Sequence, residues 1–190
     1  MLPRLVDKDR LFINKFAYRI GDVKHGDVVV FLYPGNRNLS YIKRVIGLPG
    51  DRVQVKEGLL YINDAAVKRQ RLSDFVGEDP CGSGATAPVK RWKETLPNNV
   101  TYETLDCIDN NSLDDTPVYT VPPGHFFMMG DNRDNSTDSR VLSAVGYVPL
   151  ENVVGRAQMI FFSIAEGKHA WMIWEWPWSV RWNRIFSIVR

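Results

Sequence analysis

Short runs of apolar and β-branched residues, separated by turn-forming residues, follow one another along the first third of the chain. Such runs, whether alternating with polar residues or wholly apolar, are typical of β-strands. Five of them predict strands: residues 10–15, 27–33, 41–46, 51–56 and 59–62. Glu57-Gly58 separates the last two, so these two predict a hairpin.

The strand pattern stops near residue 63 and returns near residue 118. Strands are then predicted around the Pro-Pro-Gly turn at 122–124 and over 145–149 and 152–163. The intervening residues are polar and rich in Gly, Pro and Asn. Because a structureless loop of this length is improbable inside a compact domain, we predict an inserted subdomain there. Short strands at this spacing favour an all-β sandwich or coiled barrel over alternating βα units.

Length and charge narrow the class of protein. The 190 residues can bury a sizeable core, and a formal net charge of +2 is too small to indicate a nucleic-acid partner. Basic and aromatic residues together would suit an oligonucleotide-binding barrel. The aromatic residues, however, cluster at the tail instead of interleaving with cations along strands. We therefore expect no nucleic-acid partner.

The sequence predicts neither a cofactor nor a metal site. Its three histidines are scattered and lie in no HExxH or CxxC pattern. Two cysteines, Cys81 and Cys107, lie in the polar central region. They can form a disulfide in an oxidising compartment or remain two thiols in a reducing one, and composition leaves both alternatives open.

The strand predicted over 41–46 carries two cations, one on each face. Alternation places Lys43 on the same face as Tyr41 and Val45, and its neighbour Arg44 on the other face. Lysine is almost never fully buried without a partner. One interpretation is therefore that the aliphatic stem of Lys43 packs while its ammonium reaches water. The other is a functional lysine.

The loop GDNRDNSTDSR, residues 130–140, concentrates polar residues directly after the apolar run 125–129. Asp, Asn and Ser favour turns, so a surface loop would explain this composition. Its origin in an apolar strand instead places the start of the loop close to the core. There, Asp138 and Arg140 can form a charge-assisted pair that fixes the loop. Ser136 would then be free to offer its hydroxyl to another partner.

Two long segments, SYIKRVIGLPGD and MGDNRDNSTDSR, resemble the type I signal peptidases of bacteria. These are membrane-bound serine proteases with a Ser-Lys dyad. MLPRLVDKDRLFINKFAY at the chain start and GDVVVF further along extend the resemblance, which covers residues 1–61 and 118–158. It implies a coiled, mostly antiparallel β-sheet domain formed by 1–62 and 118–190. Residues 63–117, with both cysteines, would form a less regular inserted subdomain.

Within this resemblance, Lys43 matches the general base and Ser136 matches the serine that orients the lysine amine. Asp138 and Arg140 match the ion pair that supports the loop. The chemistry of a lysine base agrees with this assignment. Such a lysine must be neutral near pH 7, and desolvation by apolar neighbours lowers the pKa of a lysine.

The resemblance also implies the substrate, which is the signal peptide of an exported preprotein. Signal peptides are cut after small residues in an A-x-A pattern, and shallow apolar pockets suit such residues. The substrate is expected to lie extended and to pair with strand edges through backbone hydrogen bonds. Six positions match the family's pocket walls: Met1, Leu5, Leu11, Val30, Tyr41 and Ile42.

The resemblance places the nucleophilic serine immediately before Met1, and the family's membrane anchor further upstream. We therefore expect the chain as given to be inactive, and it contains no run of about 18 apolar residues that could form a span. A non-catalytic relative that binds presequences or a protein partner is the alternative. Arg4 and Lys8 also stand where the family usually has Thr and Gly.

The tail combines nearby arginines with four clustered tryptophans: Trp171, Trp174, Trp176 and Trp178. Such residues suit the membrane–water boundary, and they also suit packing against a β core. The resemblance favours contact with a phospholipid membrane surface. It places the catalytic domain on the periplasmic side of the bacterial inner (cytoplasmic) membrane. That oxidising compartment favours a Cys81–Cys107 disulfide.

Overall fold

The computed structural model describes residues 1–77, 80–82, 88–165, 167–168 and 171–189. The described residues form two short helices, α1 (Ala17–Ile20) and α2 (Trp176–Ser179). They also form thirteen strands: β1 (Asp9–Asn14), β2 (Val28–Tyr33), β3 (Asn36–Gly47), β4 (Arg52–Lys56), β5 (Leu59–Ile62), β6 (Ala65–Ala66), β7 (Lys68–Arg71), β8 (Lys90–Thr95), β9 (Thr101–Asp106), β10 (Tyr119–Thr120), β11 (His125–Met129), β12 (Val148–Pro149) and β13 (Val153–Ser163).

The strands form three antiparallel sheets, which confirms the predicted all-β fold. A six-stranded sheet has the order β1-β13-β2-β3-β11-β12. A four-stranded sheet has the order β10-β4-β5-β6, and a three-stranded sheet has the order β7-β8-β9. Within each sheet, neighbouring strands are antiparallel.

The predicted hairpin is confirmed, and its turn has a clear physical basis. Glu57 and Gly58 both have positive φ, 48° and 70°, as a two-residue turn that matches the twist of its strands requires. The pairing of Lys56 with Leu59 follows directly from this turn. Two other predictions differ from the structure. β3 starts at Asn36 instead of residue 41, and only Val148–Pro149 of the predicted 145–149 is a strand.

The faces predicted for β3 are confirmed by the apolar clusters on its two sides. Val45 packs in a cluster with Phe31 and Met128. Ile46, its neighbour along the strand, packs in a different cluster with Phe127. Both faces of the strand are therefore covered near its end, at Val45 and Ile46. The strand therefore brings whatever lies at its middle close to the core.

The central region, 63–117, contains β6 to β9. Its residues 78–79 and 83–87 lie outside the described part of the chain. It packs on the rest of the chain. Leu96 and Tyr102 share an apolar cluster with Val53 and Phe127. The division of the chain at 62 and 118 remains a prediction.

Lys8 adopts φ 65°, a backbone region that side chains other than glycine rarely occupy. Glycine reaches this region without the steric cost that a Cβ imposes. The turn before β1 therefore accounts for glycine being common at this position in the family that the sequence resembles. Here, lysine is held in the same conformation.

Cys81 and Cys107 form a disulfide in the structure, with Cα atoms 5.8 Å apart. The bond joins the segment after β7 to the end of β9 and crosses a separation of 26 residues. Within the described part of the chain, every helix falls short of the length and apolar character that crossing a membrane requires.

Replacing both Cys81 and Cys107 with serine should lower the free energy of unfolding by roughly 3–4 kcal/mol, because the bond restricts the unfolded chain. Urea unfolding followed by tryptophan fluorescence measures this. Reductant should bring the unsubstituted protein to the stability of the double variant and leave the variant unchanged. Equal stability of the two proteins under oxidising conditions would contradict the prediction.

Candidate active site

Lys43 lies at the middle of β3, opposite Val29 of β2 and one residue before Arg44, where the pairing with β11 begins. Its Nζ donates a hydrogen bond to Ser136 Oγ at 2.7 Å. The sequence-predicted pair is therefore in contact, although 93 residues separate its members. The Tyr41 ring, with its centroid 6.0 Å from Nζ, shields one side of the amine.

The environment of Lys43 makes its charged form less favourable than it is in water. Burial lowers the pKa of Lys43 below its ordinary value, because the ammonium loses its hydration. The carboxylates of Asp138 and Asp131 oppose this effect, and the guanidinium of Arg140 reinforces it. The net direction is downward. Lys43 is partly buried, so its stem packs as the first interpretation expects, and its amine also has a protein partner in Ser136.

Asp138 and Arg140 form the predicted ion pair, and both are buried. Arg140 Nε and Nη2 each donate to the Asp138 carboxylate at 2.9 Å. The backbone N–H of Gly130 donates to the same carboxylate at 3.0 Å. Although burial raises the pKa of Asp138, the Arg140 guanidinium and these hydrogen bonds hold it below its usual value. The pair fastens the end of the 130–140 loop to its beginning.

Gly130 permits the close approach of Ser136 to β11. A Cβ placed on Gly130 would lie 2.6 Å from the Cβ of Ser136 and still nearer to its hydroxyl. Real Cβ atoms are not found so close to another side chain, so any larger residue would displace Ser136. The glycine at the start of the loop is thus part of what holds the Ser136 hydroxyl on Lys43.

The main feature that sequence reasoning missed is the charged pair of Arg44 and Asp131. Arg44 is fully buried and donates two hydrogen bonds of 2.8 Å to the Asp131 carboxylate. A third, also of 2.8 Å, goes to the carbonyl of Gly26. Burial disfavours the charge, but Asp131 raises the pKa of Arg44 above its already high value. The sequence contains one indication of this pair: Arg44 shares a strand face with the apolar Ile42 and Ile46, and an aspartate-rich loop, residues 130–140, follows later in the chain.

The start of the chain lies beside Lys43. Burial lowers the pKa of the Met1 α-amino group, and the charges of Asp131, Lys43 and Arg44 also act on it. The Met1 side chain packs with Leu11 in a cluster built on Leu5. The start of the chain therefore lies within the electrostatic influence of Lys43.

Four of the six predicted pocket residues share one cluster, a fifth is the strand partner of one of them, and the sixth lies on another face. Met1, Leu5, Leu11 and Ile42 share one apolar cluster. Val30 is the β2 partner of Ile42 in register. Tyr41 lies in a different cluster, where its ring stacks on Tyr33 at 5.0 Å between centroids. The difference follows from strand alternation, which turns Tyr41 and Ile42 to opposite faces.

One edge of β3 is open beside this cluster. β2 pairs with β3 from Asn36 to Arg44, whereas β11 covers the opposite edge only from Arg44 to Gly47. Among the described strands, none pairs with that edge over 40–43. Its backbone N–H and C=O groups can accept an extended peptide as an added strand.

The arrangement supplies a partly buried amine, a hydroxyl in contact with it, an open strand edge and an apolar cluster that includes Ile42. Such a set can abstract a proton from a hydroxyl and present a peptide carbonyl to it. The described residues contain no group of three or more His, Cys, Asp or Glu side chains that could hold a metal ion.

Comparison with known proteins agrees with these features. The family model described as "Signal peptidase, peptidase S26" matches residues 1–162. The signal peptidase I of Rickettsia typhi is 39% identical over 198 residues, which cover 93% of this chain and 70% of the relative. That of Rickettsia bellii (strain OSU 85-389) is 33% identical and covers 98% and 74%. A crystal structure of a signal peptidase I from Enterococcus faecalis has 27% identity and a TM-score of 0.42, covering 72% of this chain and 97% of that one.

Gly130→Ala should raise the pKa of Lys43 toward the ordinary lysine value, because displacing Ser136 admits water to the amine. Titration of ¹³C-labelled lysine side chains by NMR reports this pKa directly. Gly21→Ala is the matched control, since the nearest atom lies 3.4 Å from its added Cβ and its φ is −130°. An unchanged Lys43 titration in a folded Gly130→Ala variant would contradict the role given to Gly130.

Proposed function

The chain belongs to the signal peptidase family, peptidase S26, and we propose that it is the catalytic region of a signal peptidase I that uses Lys43 as its general base. In this proposal it is a serine endopeptidase that removes N-terminal signal peptides from exported preproteins. The observation that carries the proposal is the 2.7 Å contact of Lys43 Nζ with Ser136 Oγ, in a site that lowers the pKa of the lysine.

The proposed nucleophile is a serine placed immediately before Met1. The influence of the Lys43 charge on the Met1 α-amino group supports this position, because it brings the start of the chain near the proposed base. The neutral amine takes the serine proton as the serine oxygen attacks the scissile carbonyl. Lys43, now protonated, donates that proton to the departing amine of the mature chain, and an acyl-enzyme remains. A water molecule then hydrolyses the ester with Lys43 again as the base.

Ser136, Asp138 and Arg140 act in this mechanism by positioning. Ser136 accepts a hydrogen bond from Lys43 and so sets the direction of its amine. Asp138 and Arg140 hold the loop that carries Ser136. Neither of these charged side chains needs to touch the substrate.

The proposed substrate lies extended along the open edge of β3 over 40–43. Its backbone would pair with this edge, and its small side chains would enter the apolar cluster of Met1, Leu5, Leu11 and Ile42. Shallow apolar walls favour small residues such as those of an A-x-A sequence. Val30 would support this cluster from β2, where it is the register partner of Ile42, whereas Tyr41 lies on the other face of β3, near Lys43.

A chain that carries serine directly before Met1 should cleave a preprotein after its A-x-A sequence. Lys43→Met should reduce the rate by about 10²- to 10⁴-fold, the usual contribution of a general base. Lys56→Met, at an exposed lysine of β4, is the matched control. Activity should rise with pH through the lowered Lys43 pKa, because only the neutral amine accepts a proton. Gel analysis of precursor and mature protein measures all of these rates.

Alanine in place of that serine, and the chain that starts at Met1, should both fail to cleave. Cleavage by either, at the rate of the serine-bearing chain, would overturn the assignment of the nucleophile. If the serine-bearing chain binds a presequence without cutting it, the protein is instead a non-catalytic presequence-binding relative.

We also propose that the tail rests on a phospholipid membrane surface, at the periplasmic face of the bacterial inner membrane. Trp176 packs on Phe162 of β13, with ring centroids 5.4 Å apart. Other aromatic residues of the described tail are exposed, together with two on the adjoining strands: Trp171, Trp174, Trp178, Trp182, Phe186, Phe12 and Phe161. Amphipathic tryptophans near arginines favour the membrane–water boundary.

Combined Trp174→Ala, Trp178→Ala and Trp182→Ala substitution should weaken binding to phosphatidylethanolamine–phosphatidylglycerol vesicles by about 10-fold or more, since the membrane would otherwise bury these rings. Vesicle sedimentation measures the affinity. Val76→Ala with Ile108→Ala, two exposed apolar residues of the central region, is the control and should leave binding unchanged. Equal binding of the triple variant and the unsubstituted protein would exclude the tail as the contact.

A further inference from the structure

A second buried charged cluster lies outside the Lys43–Ser136 contact. It joins Glu94 of β8, Tyr102 of β9 and Arg133 of the 130–140 loop, and all three are almost fully buried. The Tyr102 hydroxyl donates to Glu94 Oε2 at 2.7 Å. Arg133 Nη2 donates to the same oxygen at 2.5 Å and contacts the Tyr102 hydroxyl at 3.2 Å. The proposed mechanism gives none of these residues a chemical step.

The backbone of the loop is also paired with β9. The N–H of Leu105 donates to the carbonyl of Asp131, and the N–H of Arg133 donates to the carbonyl of Leu105, each at 2.9 Å. These bonds form a parallel bridge between Leu105 and Asn132. The first residues of the loop therefore continue the three-stranded sheet as an additional short strand.

A second connection runs from Tyr102 to the residue beside Lys43. The Arg44 guanidinium lies over the Tyr102 ring, 4.3 Å from its centroid. Arg44 in turn binds Asp131 at the start of the loop. Tyr102 thus contacts both Arg44, the chain neighbour of Lys43, and Arg133, which precedes Ser136 in the 130–140 loop.

Contacts within the loop link Arg133 to Ser136. The Arg133 carbonyl accepts a hydrogen bond of 2.5 Å from Arg140 Nη2, and Arg140 is bound to Asp138. Ser136 lies between Arg133 and Asp138 in the sequence. A shift of Arg133 would therefore be transmitted to the segment that carries the Ser136 hydroxyl.

The presence of buried charges needs an explanation. Burying an ion pair removes the hydration of both ions, whereas apolar residues in the same place would carry no such cost. A buried pair of this kind contributes little net stability, yet it specifies one arrangement of the segments that it joins. The segments joined here are the three-stranded sheet and the loop of the proposed catalytic site.

We propose that Glu94 and Tyr102 are positioning residues of the active site: they hold Arg133, and through it the loop that keeps Ser136 on Lys43. The inference rests on the proposed function for its catalytic consequence, but not for its structural one. It gives the inserted sheet a role in the reaction although no residue of that sheet touches the reacting atoms.

Glu94→Gln should raise the pKa of Lys43 toward the ordinary value, as measured by NMR titration of ¹³C-labelled lysine in the chain as it stands. The sign is decisive. Removing a negative charge by itself disfavours the ammonium and lowers the pKa of a lysine. A rise therefore requires that renewed hydration of the amine outweigh both the lost charge and the lost contact with Ser136. The groups whose charges act on Lys43 are Asp138, Arg140, Asp131 and the Met1 α-amino group, and the variant retains them all.

Two further variants complete the experiment. Glu103→Gln removes the same charge from β9 at a partly exposed site paired with Arg91, and should leave the Lys43 titration unchanged. Tyr102→Phe keeps the ring over Arg44 but removes the hydroxyl between Glu94 and Arg133, and should raise the Lys43 pKa less than Glu94→Gln does. If Glu94→Gln does not fold, the Lys43 titration of Tyr102→Phe tests the proposal instead. An unchanged Lys43 titration in a folded variant overturns the proposal.

Activity separates this inference from the proposed function. In the chain with serine before Met1, Glu94→Gln should lower kcat by about 10- to 100-fold with little change in KM. Its pH–rate profile should move to higher pH, and a simple loss of stability would not produce that shift. If no serine-bearing chain cleaves but the Lys43 titration shifts as expected, the proposed function fails and the positioning role stands. If cleavage occurs and neither the titration nor the pH profile moves, the positioning role fails alone.

Discussion

Lys43 and Arg44 project from opposite faces of β3. One face disfavours the positive charge of its residue, and the other stabilises it. The Lys43 face offers an apolar cluster and a hydroxyl, so burial lowers the pKa of the amine. The Arg44 face offers Asp131 and a backbone carbonyl, which stabilise a full positive charge in the interior. A strand is the element that can separate two adjacent cations in this manner, because its side chains alternate.

The 130–140 loop supplies a separate partner for each of these two cations. Asp131 neutralises Arg44, Ser136 faces Lys43, and Asp138 with Arg140 closes the loop on itself. Gly130 supplies the space without which Ser136 could not approach. These polar residues of the loop therefore have specific partners inside the protein. A composition typical of surface loops occurs here in a largely buried loop. Since the loop has few apolar side chains, its position depends on hydrogen bonds and charge pairs.

Sheet β7–β9 and the tail extend this site in two directions. The sheet reaches the loop through Glu94 and Tyr102, which ties the central region to the 130–140 loop. The tail runs beside β13, where Ile188 bridges Met159, and it leaves several aromatic rings in solvent. Packing on the β core accounts for Trp176, whereas Trp178 is exposed.

Local pattern was enough to predict the all-β class, the β4–β5 hairpin and the faces of β3, because alternation and turn chemistry act over a few residues. The two motifs likewise indicated Lys43, Ser136, Asp138 and Arg140, and the sequence alone identified the family. The contacts between distant segments depended on tertiary structure. No local signal shows that Arg44 binds Asp131, that Tyr41 leaves the pocket cluster, or that Glu94 holds Arg133. The partner of a buried charge is chosen by the packing of whole sheets, since only the folded chain removes the water that would otherwise solvate it.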